Sequence, residues 1–225
     1  SNKILLIEGA RQVGKSYVIR EVGQRLFANY VELNFVTDNE GVQLFKNVHT
    51  VDEFYLRLSS VAGDRLGNYN DTLIFLDEIQ CYPQYLTLLK FLREEQKYRF
   101  IASGSALGMA LRHTTSIPVG SVIIKKMYPL DFEEFLWANN YGENAISDLY
   151  NHFLNQQSLS KEQHEQLLEL FRRYLLVGGL PDVVNEYLAT HNILNVRNLQ
   201  NAIAAMYEAD ASQYENNASR RLLIR

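Results

Sequence analysis

The sequence predicts an α/β fold in which helices cover both faces of a parallel sheet and a smaller, all-helical lobe follows. Up to about residue 128, short apolar runs alternate with helical patterns. This alternation is typical of parallel strands joined by right-handed crossovers, with ligands bound at the carboxyl ends of the strands. After Pro129 the apolar runs stop and helical patterns continue to about residue 215. These observations predict a three-layer α/β/α domain followed by a smaller, all-helical lobe.

Five segments are predicted as strands. Four are continuous apolar runs, which are typical of strands covered on both faces. In the fifth, Val31, Leu33 and Phe35 alternate with polar residues, which indicates a strand nearer the sheet edge. The four continuous runs are residues 4–7, 73–76, 100–102 and 122–124.

Capping signals and apolar spacing predict the helices. Pro83 suits a first helical turn, and the apolar residues that follow it recur at helical spacing. Asp131 and Ser160 each precede a helical pattern and have a Glu or Gln three residues later, as in a capping box. Trp137, near two phenylalanines on the same segment, is predicted to pack in the core of the lobe.

Composition narrows the class of protein. Of 225 residues, 47% are apolar and 21% charged, and the formal net charge is −4. These values are typical of a globular protein and give no basic field for tight, sequence-independent binding to nucleic acid. The single cysteine, Cys81, cannot form an internal disulfide, and no apolar run approaches the ~20 residues of a membrane helix. We therefore expect a cytoplasmic protein with no membrane partner.

A phosphate-binding loop is the clearest motif. Residues 9–16 fit GxxxxGKS between a predicted strand and a predicted helix, which is the context the motif requires. The glycines let backbone N–H groups approach phosphates, Lys15 reaches the β and γ phosphates, and the Ser16 hydroxyl can ligate Mg²⁺. Arg11 either contacts phosphate or pairs with a neighbouring carboxylate. The predicted nucleotide-binding residues are Gly9, Ala10, Arg11, Gln12, Val13, Gly14, Lys15, Ser16 and Tyr17.

Two carboxylates follow the third predicted strand. Asp77 and Glu78 end the apolar run 73–76, so they lie at the sheet edge where the phosphate loop is expected. Asp77 is predicted to hold Mg²⁺ together with Ser16, and Glu78 to act as the catalytic base on the attacking water.

Two serines end the next predicted strand. A hydroxyl at this edge is suited to sensing the γ phosphate or to positioning the water beside Glu78. Ser103 and Ser105 both remain candidates for this catalytic role, and Ser105 is equally suited to capping the next helix.

Together these motifs resemble the AAA+ ATPase superfamily of P-loop proteins. The narrower resemblance is to a group of prokaryotic AAA-like ATPases whose ATPase core is usually followed by a C-terminal domain of uncharacterised function. The first two motifs occur in many phosphate-loop enzymes, whereas the last two make the narrower match specific. The similar segments are residues 9–16, 76–80, 103–109, 127–138 and 174–184.

This resemblance implies a sheet of order 5-1-4-3-2, a smaller all-helical lobe that acts as a lid, and a cofactor set of ATP and Mg²⁺. It also implies that Pro181, in the glycine-x-proline element 179–181, lies over the nucleotide base. In AAA+ proteins that form rings, an arginine near the position of Arg112 is often aimed at a neighbour's γ phosphate. A surface arginine at a helix end is the favoured interpretation of Arg112, because residues 117–121 depart from the family pattern.

The patterns place boundaries near two positions. Residues 1–128 are predicted as the ATPase core, residues 129–215 as the helical lid, and residues 216–225 as the start of a truncated C-terminal region. A strand pattern begins almost at once after residue 3, and the last residues contain no glycine or proline stop signal. We therefore expect a fragment of a longer protein.

The leading hypothesis is an ATPase that binds ATP and ADP and acts as a switch or motor. One alternative is a nucleotide-dependent scaffold with little turnover, against which Glu78 argues. The other is a truncated helicase of the DExQ type, which would need a second core domain. A homo-oligomer, a protein client and a DNA client remain open, and the residues indicate none of them.

Overall fold

The computed structural model describes residues 3–105 and 120–214. The chain divides into two compact units, and the division lies between Met127 and Tyr128. Arg112, residues 106–109 of the segment 103–109, and residues 216–225 lie outside the described residues.

The first unit contains a five-stranded sheet in which every pair of neighbours is parallel. The strands lie in the order β2-β3-β4-β1-β5. Read from the β5 edge, this is the order 5-1-4-3-2 that the family resemblance implied. The strands are β1 (Ile4–Glu8), β2 (Asn29–Asn34), β3 (Thr72–Asp77), β4 (Arg99–Gly104) and β5 (Val122–Lys126).

Helices connect β1 to β2, β2 to β3 and β3 to β4, as the alternating pattern predicted. The Thr50 side chain and Glu53 form a capping box at the start of the third helix. Two short 3₁₀ turns, Gly63–Arg65 and Ile79–Cys81, lie on either side of β3 in the chain. Among the described residues of this unit, the α-helices are α1 (Lys15–Leu26), α2 (Phe35–Glu40), α3 (Val51–Ala62) and α4 (Gln84–Glu95).

The core of the first unit is built on β3, whose six residues are all buried. On one side a cluster of aromatic rings fills the space between the sheet and α2, α3 and α4. Their ring centroids lie 4.5–6.2 Å apart, a range typical of favourable aromatic packing. Because β3 is fixed on both faces, the residues at its carboxyl end have a rigid support. The rings of this cluster include Phe35, Phe54, Tyr82 and Tyr85.

The alternating segment forms the edge strand β2, as predicted, but two strand predictions were wrong in detail. Phe35 is the first residue of α2, because the Asn34 side chain accepts a hydrogen bond from the backbone N–H of Thr37 and starts a helix. The run 122–124 was expected to be covered on both faces. It forms β5 at the opposite edge, where Ile124 and the two lysines that follow are exposed.

The second unit is helical throughout its described residues. Its buried core joins Phe135 to Val177, Val184 and Val196. Asp131 and Ser160 form the predicted capping boxes. The helices are α5 (Phe132–Ala138), α6 (Glu143–Leu154), α7 (Lys161–Val177), α8 (Pro181–Thr190) and α9 (Ile193–Tyr214).

Trp137 does not belong to this core, which corrects the prediction. Its side chain is 48% exposed, whereas Phe135 is fully buried. Trp137 follows Phe132 by five residues, a spacing that places the two side chains on different faces of a helix. Within the described residues, no helix is both long enough and apolar enough to cross a membrane.

Candidate active site

The loop between β1 and α1 contains residues with positive φ, and at Gly9 its backbone packs closely against the backbone of Met127. Gly14, which precedes α1, has φ 91°, and Gln12 has φ 62°. A Cβ atom built on Gly9 would stand 2.4 Å from the carbonyl oxygen of Met127, a distance that no side chain tolerates. The loop therefore requires glycine at position 9 for close packing and at position 14 for backbone conformation.

The Lys15 side chain folds back over this loop. Its Nζ atom donates hydrogen bonds to the carbonyl oxygens of Gly9, at 3.0 Å, and Ala10, at 2.8 Å. Burial lowers the pKa of Lys15, and the negative charges of Glu78 and Asp77 oppose this effect. The result is a buried cation at the start of α1, where backbone N–H groups also favour an anion.

Asp77, at the end of β3, accepts hydrogen bonds from three neighbouring elements. The Ser16 hydroxyl on α1 lies 3.0 and 3.1 Å from its two carboxylate oxygens. The Asn34 amide at the end of β2 donates to Oδ2 at 3.0 Å, and the Ser103 hydroxyl on β4 donates to Oδ1. Burial raises the pKa of Asp77, while the hydrogen bonds from Ser103 and Ser16 lower it.

Glu78 turns away from Asp77 because its backbone is left-handed, with φ 55° and ψ 49°. Its Oε2 atom accepts hydrogen bonds from the Ser105 backbone N–H at 3.2 Å and the Ser105 hydroxyl at 2.9 Å. The Gln80 side chain also donates to this oxygen. The two carboxylates therefore face separate sets of donors.

This separation distinguishes the two serines, which the sequence left equivalent. Ser103 lies within β4 and contacts Asp77, beside Ser16. Ser105 lies just beyond β4 and contacts Glu78. Ser103 is thus on the side of the candidate cation ligands, and Ser105 on the side of the candidate base.

Two residues that contact the carboxylates were missed by the sequence predictions. Asn34 is paired in register with Asp77 across β2 and β3, so its position at a strand end was a usable signal. Gln80 is two residues after Glu78 in the sequence, and the 3₁₀ turn Ile79–Cys81 brings its amide back onto Glu78. No spacing rule in the sequence indicates that contact.

The other predicted residues differ in exposure and in the unit to which they belong. Ala10, Gln12 and Tyr17 are exposed, and Val13 is buried beneath the loop. Arg11 is partly exposed. Pro181 is the first residue of α8 and belongs to the second unit.

The residues at the loop fit a magnesium nucleotide. Lys15 supplies a buried cation at this loop, beside the backbone N–H groups that begin α1 and favour an anion. The Ser16 hydroxyl and the Asp77 carboxylate are in contact, and such hard oxygen atoms are the ligands that Mg²⁺ prefers.

Comparison with known families agrees with this geometry. The model of the AAA domain matches residues 1–136, which is more than half of the chain, and the chain therefore belongs to the AAA family. A second family model, described as a domain of unknown function, matches residues 168–225. Membership of the AAA family supports a nucleotide-binding, ATPase-like function. None of the curated proteins compared with the chain matches it.

Solved structures resemble the chain at low sequence identity. The Aeropyrum pernix ORC1 protein in complex with DNA is 18% identical, with a TM-score of 0.40, over 59% of this chain and 41% of that one. The C. elegans PCH-2 structure is 12% identical, with a TM-score of 0.47, over 92% of this chain and 61% of that one. The chain thus spans less than two thirds of either structure.

Proposed function

We propose that this protein binds ATP with Mg²⁺ and hydrolyses it, as a switch or motor whose client is not defined by these residues. The observation that carries the proposal is the contact of the Ser16 hydroxyl with Asp77, 3.0 Å apart, beside Lys15 and Glu78. A loop that binds phosphate is thereby joined to a carboxylate suited to a cation and to a second carboxylate suited to a base.

The binding roles follow from the charges of the site. Backbone N–H groups of residues 9–16 and the Lys15 cation would hold the β and γ phosphates. Ser16 and Asp77 would hold Mg²⁺, which supplies positive charge against the phosphate oxygens when bound. In this proposal Tyr17 and Arg11 lie beside the nucleotide, and Pro181 contacts its base, as the family resemblance implies.

The hydrolytic role belongs to Glu78. Its carboxylate accepts a proton from water as the water oxygen forms a bond to the γ phosphorus, and the bond between that phosphorus and ADP breaks. The products are ADP and inorganic phosphate. Ser105 holds the carboxylate that receives the proton, and Ser103 orients Asp77 beside Ser16.

The decisive experiment is Glu78→Gln, which keeps shape and removes the base. We expect ATP affinity close to that of the wild type and turnover at least roughly a hundredfold lower. Glu94→Gln, at an exposed position of α4, is the matched control and should change neither quantity.

Two results would redirect the proposal. Equal turnover in the wild type and Glu78→Gln would refute the role of Glu78. Tight ATP binding by a wild type that releases no phosphate would instead favour a scaffold that uses nucleotide without turnover.

The proposed location of the protein is the cytoplasm, because its single cysteine, Cys81, cannot form an internal disulfide.

A further inference from the structure

Gln80 carries a buried amide that the proposed chemistry has not used. Its side chain is only 6% exposed, within the 3₁₀ turn that follows Glu78. Its Nε2 atom donates to Glu78 Oε2 and also to the Ser105 hydroxyl oxygen, at 3.2 Å. The amide nitrogen thus bridges Glu78, which is the proposed base, and Ser105, which also donates hydrogen bonds to Glu78.

The other end of this amide has no such partner. Within the described residues, Gln80 Oε1 is buried and accepts no hydrogen bond. A buried carbonyl oxygen without a donor lowers stability, and an apolar side chain of the same length avoids that penalty. Packing alone therefore does not account for an amide at this position. The hydrogen bonds that this amide makes among the described residues come from its nitrogen.

The contacts of Glu78 show what the nitrogen does. Among the described residues, the hydrogen bonds to the Glu78 carboxylate all reach Oε2. Ser105 donates to this oxygen from the end of β4, and Gln80 donates from the turn after β3. Donors from two elements fix the direction of the carboxylate more closely than Ser105 does alone.

We propose that Gln80 is a positioning residue for hydrolysis, an inference that rests on the proposed function of this site. Gln80 holds Oε2 of Glu78 against Ser105, so that Oε1 is the oxygen that accepts the proton from water. It acts through Glu78 and contributes nothing to nucleotide binding. A rate effect without an affinity effect is the expected signature.

The test compares Gln80→Met, which keeps length and removes both donors, with the wild type. We expect kcat to fall about tenfold, ATP affinity to stay unchanged, and the melting temperature not to fall, because the unpartnered carbonyl is also removed. Gln80→Glu keeps the shape but presents oxygen where the amide presented N–H, so its kcat should be no higher than that of Gln80→Met. Gln24→Met, at an exposed position of α1, is the matched control.

A double mutant separates positioning from a general structural effect. In the Glu78→Gln background, single-turnover hydrolysis should be equally slow with Gln80 and with Met at position 80, because Gln80 acts only through Glu78. If Gln80→Met slows both backgrounds by the same factor, or leaves the wild-type kcat unchanged, the positioning role is wrong although the proposed function stands. If Glu78→Gln itself turns over like the wild type, the proposed function fails and the positioning role fails with it.

Discussion

Lys15 combines burial, positive charge and contact with the loop, and nucleotide affinity should depend on it. Lys15→Ala removes the cation next to the proposed phosphate site, and charge-assisted contacts of this kind contribute a few kcal/mol. We expect the variant to remain folded and to lose most of its ATP affinity in calorimetry. Lys90→Ala, at an exposed position of α4, should bind ATP like the wild type. If folded Lys15→Ala binds ATP with unchanged affinity, the assignment of this loop to the nucleotide site is wrong.

At the residue scale, the sequence predicted where the main groups of the candidate site lie but not all of their contacts. The position of the loop between β1 and α1 and that of the carboxylate pair at the end of β3 could be predicted, because the spacing of these residues along the chain is itself the signal. The roles of Ser103 and Ser105 could not be separated, since their assignment depends on where β4 ends and on which carboxylate each hydroxyl meets. Asn34 and Gln80 contact those carboxylates through strand register and through a 3₁₀ turn, respectively.

At the scale of elements, the start of α5 offers a clear stability test. The Asp131 side chain accepts a hydrogen bond from the Glu134 backbone N–H at 2.9 Å, and Glu134 accepts one in return from the Asp131 backbone. Asp131→Ala should lower the free energy of unfolding by about 1 kcal/mol in urea titration. Asp131→Asn retains an acceptor of similar capping strength and should cost much less. Equal losses in both variants would mean that charge, not the cap, stabilises this helix end.

The two errors at the scale of elements concern the end of β2 and the exposure of β5. An alternating apolar pattern indicates which residues of a segment are buried. It does not show where a strand ends, because a buried residue in the first turn of the next helix can continue the same alternation. Phe35 continued the alternation of β2 although Asn34 ends the strand with its side chain. The run that forms β5 is apolar at first, yet it lies at an edge of the sheet, and only the strand order reveals this.

At the scale of the molecule, nucleotide binding should stabilise the fold. A ligand at a hundred times its Kd adds about 2.7 kcal/mol to the free energy of unfolding when it binds only the native state. We expect Mg-ATP to raise the melting temperature more than Mg-GTP does at the same concentration. This preference for adenine rests on the family resemblance and on the missing Asn-Lys-x-Asp guanine motif. Equal shifts with both nucleotides would contradict it.

The alternation of strands and helices predicted the class of fold and the helical second unit, because each depends on local patterns. The strand order is different in kind, since the same alternation is compatible with several orders. It was available only through the family resemblance, and the structure has that order.

The interior position of β1 has a consequence for synthesis of the protein. β1 is made before the other strands, yet it pairs with β4 and β5, which are the last strands of the sheet to be made. The loop after β1 depends on late residues too, because the Gly9 backbone N–H donates to the carbonyl oxygen of Gly104 and Gly9 packs against Met127. A nascent chain therefore carries β1 without its partner β4 until residue 104 has left the ribosome, and without its partner β5 until residue 126 has done so. During that interval the unpaired edges of an apolar strand are exposed to aggregation. Only after residue 127 has been made can the loop at Gly9 acquire its full packing.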